Sequence, residues 1–183
     1  MTETYSMLFC RTAIVIVFTL SVLGKMHNVN GFRESIIDFR LVPSQWAGAI
    51  AWGFLISEAL VVVFVLLGGT ALLIGMGLAA SLLLLFAVAL TVVIWRKQRV
   101  HCNCFGRNTQ WVSPYDVIRN IVLICCALYG FVLANTVAGH NTFSLSIAEI
   151  VLVLASAVSF VALVTNLADI IETLRQPINT GQE

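Results

Sequence analysis

The chain has 183 residues, 60% of them hydrophobic and only 10% charged, with a formal net charge of +1 and a mean hydropathy of +0.98. A domain of this size folded in water cannot hide that much apolar surface, so the lipid bilayer is its solvent. Near-neutral charge also argues against nucleic acid as a partner, because that role needs a strongly basic surface.

A helix needs about 20 largely apolar residues to cross a hydrocarbon core about 30 Å thick, and five stretches qualify. They run from Met7 to Gly24, Trp46 to Leu67, Ala71 to Trp95, Pro114 to Asn135 and Ser146 to Leu167. The expected fold is all-α: a polytopic transmembrane helix bundle of about five spans, a four-helix core plus one additional helix. Residues 1–183 read as a single domain, with a short polar tail at 170–183.

The first stretch lacks both a basic region ahead of it and a small-x-small cleavage pattern after it, so it reads as a retained helix. It runs into "GFRESIIDFRLVP", where Phe32, Ile36, Ile37 and Phe39 gather on one side and Arg33, Glu34 and Asp38 lie elsewhere. That pattern predicts a short helix in the interface plane. In the second span Glu58 lies 12 residues past Trp46, about 18 Å into the membrane. An ionised carboxylate there needs a partner or must take up a proton.

Gly68 and Gly69 allow a tight reversal, so the second and third spans form an antiparallel hairpin. Gly75 and Gly77 are read as points of close helix approach. Trp46, Trp95 and Trp111 fall near span ends, where aromatic belts sit, and Trp52 is expected to pack inside. His27 and His140 read as solvated loop histidines.

"HCNCFGR", residues 101–107, follows the third span. A disulfide between Cys102 and Cys104 would close across one residue, which an extended tripeptide only just permits, and strained bridges of that kind are oxidising. Arg99, His101 and Arg107 favour the thiolate that attacks disulfides, and Gly106 allows a turn that presents the pair. Two thiolates plus His101 also make three soft ligands, enough for Cu(I), though structural zinc lacks its fourth. Redox exchange, soft-metal handling and an incidental pair all stay open on spacing alone, and no resident cofactor is predicted. A quinone has no motif in its favour.

"SPYD" opens the fourth span with Ser113 as N-cap, Pro114 at the first helical position and Asp116 three residues after the cap; "SIAE" repeats the logic with Ser146 and Glu149. Arg119 lies about 8 Å deep on the side of the Cys segment. With Lys25 it is expected to reach Glu58, so that Lys25, Glu58 and Arg119 tie three helices together. The adjacent Cys125 and Cys126 point about 100° apart and cannot bridge each other within a helix. They and Cys10, near the opposite surface, read first as small hydrophobes and only second as an inner relay.

"VLGKMHNVNGF" (22–32), Glu58 within "SEALVVVFVLLGG", "CNCFG" and "VIRNIVLI" (117–124) occur in an order that resembles the MauE family, integral membrane proteins of methylamine-utilisation clusters related to DoxX-like proteins. The resemblance covers about four-fifths of the chain. It implies redox-linked maturation in the bacterial inner membrane with a thioredoxin-like, MauD-type partner and a disulfide-containing client such as the small subunit of methylamine dehydrogenase. Cys102 and Cys104 would be the reactive pair. A noncatalytic scaffold for the same partner is the alternative from a different class.

Lys25, Arg33, Arg40, Arg96, Lys97, Arg99, Arg107 and Arg175 fall on one side and Arg11 on the other. The positive-inside rule then puts the N-terminus outside and the Cys segment and C-terminus in the cytoplasm. Clients on the outer face conflict with that orientation, so either the topology is inverted or electrons cross the membrane.

Overall fold

The computed structural model describes residues 2–39, 42–96, 113–137 and 146–166. These form six α-helices: α1 (Thr2–His27), α2 (Val29–Asp38), α3 (Ala47–Leu67), α4 (Gly69–Trp95), α5 (Pro114–Val137) and α6 (Ile147–Thr165), with a 3₁₀ turn at Ser44–Trp46 before α3. All but α2 are long and apolar enough to cross a membrane, which makes this a multi-pass membrane protein. Each span covers or exceeds its expected stretch except α6, whose described end is Thr165.

Four spans close a ring in which α1 packs on α3, α3 on α4, α4 on α5 and α5 on α1, while α6 packs on the outside of α1 and α2 on α3. The ring's axis is filled by Ala13, Ile14, Val17, Val61, Val65, Leu72, Met76, Ala79, Leu123 and Ala127. The residues left outside, such as Leu67, Ile74, Leu85, Val132 and Leu152, are apolar as well, as lipid requires. The expected four-helix core with one additional helix is this arrangement.

Local chemistry sets the helix ends. Asn28 accepts a hydrogen bond from the Gly31 amide at 2.9 Å, so α2 starts at Val29, two residues before the stretch read as an interfacial helix. Its buried face is Phe32, Ser35 and Phe39, while Arg33, Glu34 and Asp38 are exposed. At the start of α5 the Ser113 amide donates to the Asp116 carboxylate at 3.0 Å and the Tyr115 amide donates to the Ser113 hydroxyl at 3.4 Å, and Ser146 and Glu149 form a complete capping box at α6. Gly68 and Gly69 both have positive φ, 75° and 57°, and make the α3–α4 reversal. Arg11 from α1 donates to the Leu66 carbonyl at 2.7 Å, satisfying one of the last acceptors of α3.

Two expectations need correction. Trp52 is 55% exposed, because the buried stripe of α3 runs through Ala47, Ala51, Leu55 and Glu58, and Trp52 sits about 100° around the helix from Ala51. Gly77 has only an ordinary neighbour, Phe131, 3.8 Å from where a Cβ would lie. Gly75 does mark a close approach, since a Cβ there would stand 2.8 Å from a Val65 methyl and 3.0 Å from the Val65 backbone nitrogen. Gly75→Val is therefore expected to cost about 1–3 kcal/mol of stability through overpacking. Gly77→Ala should change it by less than about 0.5 kcal/mol. Unfolding in mixed detergent micelles measures both.

Candidate functional site

Charged side chains inside a lipid-facing bundle survive only where the protein encloses and pairs them. Ser21 and Lys25, one turn apart near the end of α1, both point into the ring, and Lys25 is only 1% exposed. Lys25 Nζ bonds Glu58 Oε1 of α3, and the same nitrogen donates to Ser21 Oγ at 2.9 Å. Ser21 Oγ in turn donates to Glu58 Oε1 at 3.1 Å. The triangle is closed by hydrogen bonds on every edge.

Aromatic rings wall the ammonium in. Phe32 of α2 has its centroid 4.9 Å from Lys25 Nζ, and Phe86 of α4 lies at 5.6 Å. Both distances suit a cation–π contact, which strengthens when water is excluded. The short helix α2 thus acts as a lid over the lysine.

Beside the triangle lies a cavity of about 40 Å³, lined on its polar side by Ser21, Lys25, Glu58, Arg119 and Asn120. That is room for a water molecule or two. Glu58 Oε2 is buried and has no hydrogen-bond partner among the described residues. One oxygen of the carboxylate is thus committed to Lys25 and Ser21, while the other has no partner among the described residues beside a polar cavity of water-molecule size.

Of the residues singled out in the sequence, Lys25 and Glu58 are in direct contact, 33 positions apart in the chain. Arg119 lines the same cavity but pairs with Asp116 on its own helix, at 3.2 Å, rather than with Glu58. Arg119 leaves the membrane surface only about five residues before its own position, so Asp116 one turn back is the nearer carboxylate. Cys102, Cys104, His101 and Gly106 lie outside the described residues. The segment that holds them leaves α4 at Trp95 and rejoins α5 at Pro114, at the bundle end that carries Lys25.

Ser21, Asn120 and Phe86 were not singled out, and Phe32 was read only as part of the apolar side of the interfacial helix. Ser21 carries a readable signal, standing four residues before a membrane-embedded lysine on the same helix face. Asn120 uses its amide to donate to the Asp116 carbonyl at 2.8 Å. Nothing in the local sequence distinguishes Phe86 from other apolar residues, and the amphipathic pattern that includes Phe32 does not say that its ring meets a lysine. Among the described residues there is no group of three or more His, Cys, Asp or Glu able to hold a metal ion.

The family model described as "Methylamine utilisation protein MauE" matches residues 3–133. The methylamine utilization protein MauE of Paracoccus denitrificans is 32% identical to the chain over 120 residues, which span 64% of this chain and 64% of that protein's own length. No solved structure matches the chain.

Removing one partner of a buried ion pair leaves an uncompensated charge, so Lys25→Met is expected to destabilise the bundle by about 3–5 kcal/mol. The Lys25→Met/Glu58→Gln double variant should recover at least half of that loss, since no charge is then left alone. A double-mutant cycle on unfolding in mixed micelles reads the coupling directly.

Proposed function

The chain belongs to the MauE family, and from that premise we propose that it is the membrane component of a thiol-disulfide system that supports maturation of an exported, disulfide-containing protein. Cys102 and Cys104 are its exchanging pair. The partner is a thioredoxin-like protein of the MauD type, and in methylamine utilisation the client is the small subunit of methylamine dehydrogenase. The site is the bacterial inner membrane.

The observation that carries this reading is the open oxygen of Glu58 beside a polar cavity at the bundle end from which residues 97–112 depart. Thiol-disulfide exchange is also proton chemistry. One thiolate attacks a partner disulfide and expels a partner thiolate, and the second cysteine then displaces the mixed disulfide. The net step turns a partner disulfide and a Cys102–Cys104 dithiol into a partner dithiol and a Cys102–Cys104 disulfide. Two protons leave one pair of sulfurs and two arrive at the other, so a buried carboxylate held in place by Lys25 and Ser21 serves as a station for them.

Orientation follows from the flanking charges. Lys25 is buried and leaves the count, yet Arg33, Arg40, Arg96, Lys97, Arg99, Arg107 and Arg175 still face a lone Arg11. This favours an outer N-terminus and a cytoplasmic Cys segment. On that orientation the electrons exchanged with an outer-face client have to cross the bilayer.

Cys104→Ser, expressed with the thioredoxin-like partner, is expected to trap a mixed disulfide through Cys102 that runs as a heavier band on a non-reducing gel and collapses on reduction. Repeated failure to trap any such species with either single serine variant would leave the scaffold reading in its place. Glu58→Gln keeps a hydrogen-bond acceptor for Lys25 but no longer carries a proton. It leaves the Lys25 charge without its counter-ion, so its folded yield should fall, and the folded fraction should exchange about 10²-fold more slowly in a stopped-flow assay with the oxidised partner.

A further inference from the structure

The described cysteines, Cys10, Cys125 and Cys126, are free, and two of them face each other from different helices. Cys10 of α1 and Cys126 of α5 line the same groove at the interface between these helices. Gly130, one turn beyond Cys126 on the same face of α5, lets the helices close on each other. A Cβ there would stand 3.2 Å from the Cys10 Cβ and 3.2 Å from the Met76 methyl. The two thiols thus come from separate helices at close packing, the arrangement a disulfide needs and the adjacent Cys125 and Cys126 cannot supply.

These thiols are not sealed in the core. With Cys125 they line a groove of about 470 Å³ between α1, α5 and α6, shared with Tyr5, Phe9, Tyr129 and Phe160. Cys10 lies eight residues after the start of α1 and Cys126 lies 11 residues before the end of α5, about 12 Å and 16 Å along the helix axes from the same end of the bundle. The groove lies between three helices that can span a membrane, where a molecule dissolved in the bilayer has access. An oxidant that reaches this pair from the bilayer is lipid-soluble, accepts two electrons and two protons, and fits between aromatic rings with hydroxyl groups nearby. Quinones have that chemistry.

We propose that Cys10 and Cys126 form a second redox site, a dithiol within the membrane that closes to an α1–α5 disulfide by reducing a quinone bound in the groove between α1, α5 and α6. In the net step two S–H bonds break and one S–S bond forms. Both electrons and both protons pass to the quinone oxygens, giving the hydroquinone. The site stands independently of Cys102 and Cys104, so its test removes them.

The full chain carrying Cys102→Ser and Cys104→Ser is reduced, reconstituted in lipid nanodiscs and incubated without oxygen with a ubiquinone bearing one isoprene unit. Two of three maleimide-reactive thiols should disappear, one hydroquinone should form per chain, and peptide mass spectrometry should find Cys10 joined to Cys126. Adding Cys125→Ser should leave all three readouts of the reaction in place. Adding Cys10→Ala, a small apolar replacement that the packing tolerates, should abolish hydroquinone formation. Three persistent thiols with no hydroquinone would overturn the proposal, as would a bridge through Cys125 or one that forms equally without the quinone.

Discussion

The lysine–glutamate pair at the heart of the bundle is the constraint from which the rest of the structure follows. Neither charge is tolerable in hydrocarbon alone, and even together they need their remaining hydrogen-bonding capacity met. Lys25 Nζ meets that demand with Glu58, Ser21 and two aromatic faces, contributed by α1, α2, α3 and α4. Four of the six described helices are therefore placed by one ammonium group. Close contact between the flanking helices is then a necessity, and Gly75 supplies it between α3 and α4 by letting Val65 approach to a distance no side chain would allow.

The two ends of the bundle are built by different means. At the end that carries Lys25, the ammonium is covered by Phe32 of α2, and Phe39 just beyond α2 packs on Leu90 and Val93 of α4. At the other end polar groups are spent on holding helices at the rim. Arg11 takes the Leu66 carbonyl, and the Tyr5 hydroxyl donates to Glu149 of α6 at 2.8 Å, the same carboxylate that caps its own helix. That contact also fixes α6 to α1, since few of its residues besides Val153, Ala157 and Val161 are buried. A lightly held outer helix leaves the groove beside Cys125 and Cys126 open along its length.

Much of the fold was legible because lipid imposes simple rules. Long apolar runs, the paired capping residues Ser113/Asp116 and Ser146/Glu149, and the double glycine at 68 and 69 each act locally, so each could be read without knowing the neighbours. Glu58 was legible for the same reason, being too costly in a span to stand without a partner. What sequence could not supply was helix rotation. In lipid both faces of a span are apolar, so no amphipathic stripe says which way Trp52 or Gly77 points. The same blindness hid the groove that Cys10 and Cys126 share, and it sent Arg119 toward Glu58 when Asp116, one turn away, was within reach. Register between helices is a property of the packed bundle and leaves no period in the chain.

Helix α1 is a ruler for the chemistry. Lys25 and Cys10 are 15 residues apart on one unbroken helix, about 22 Å along its axis. Thiol-disulfide exchange requires sulfur to touch sulfur, so a pair working at the Lys25 end and a pair at Cys10 cannot exchange directly across that length. The apolar side chains that fill the axis between them, among them Ile14, Val17 and Phe18, are buried to 3% exposure or less and offer no path for a side chain to swing through. Electrons that pass from one end to the other therefore have to travel on something that moves, a diffusible carrier in the lipid or a partner protein. On the proposed reading, a bundle with one thiol site at each end would serve as two docking stations for such a carrier, with its packed core keeping the two reactions apart.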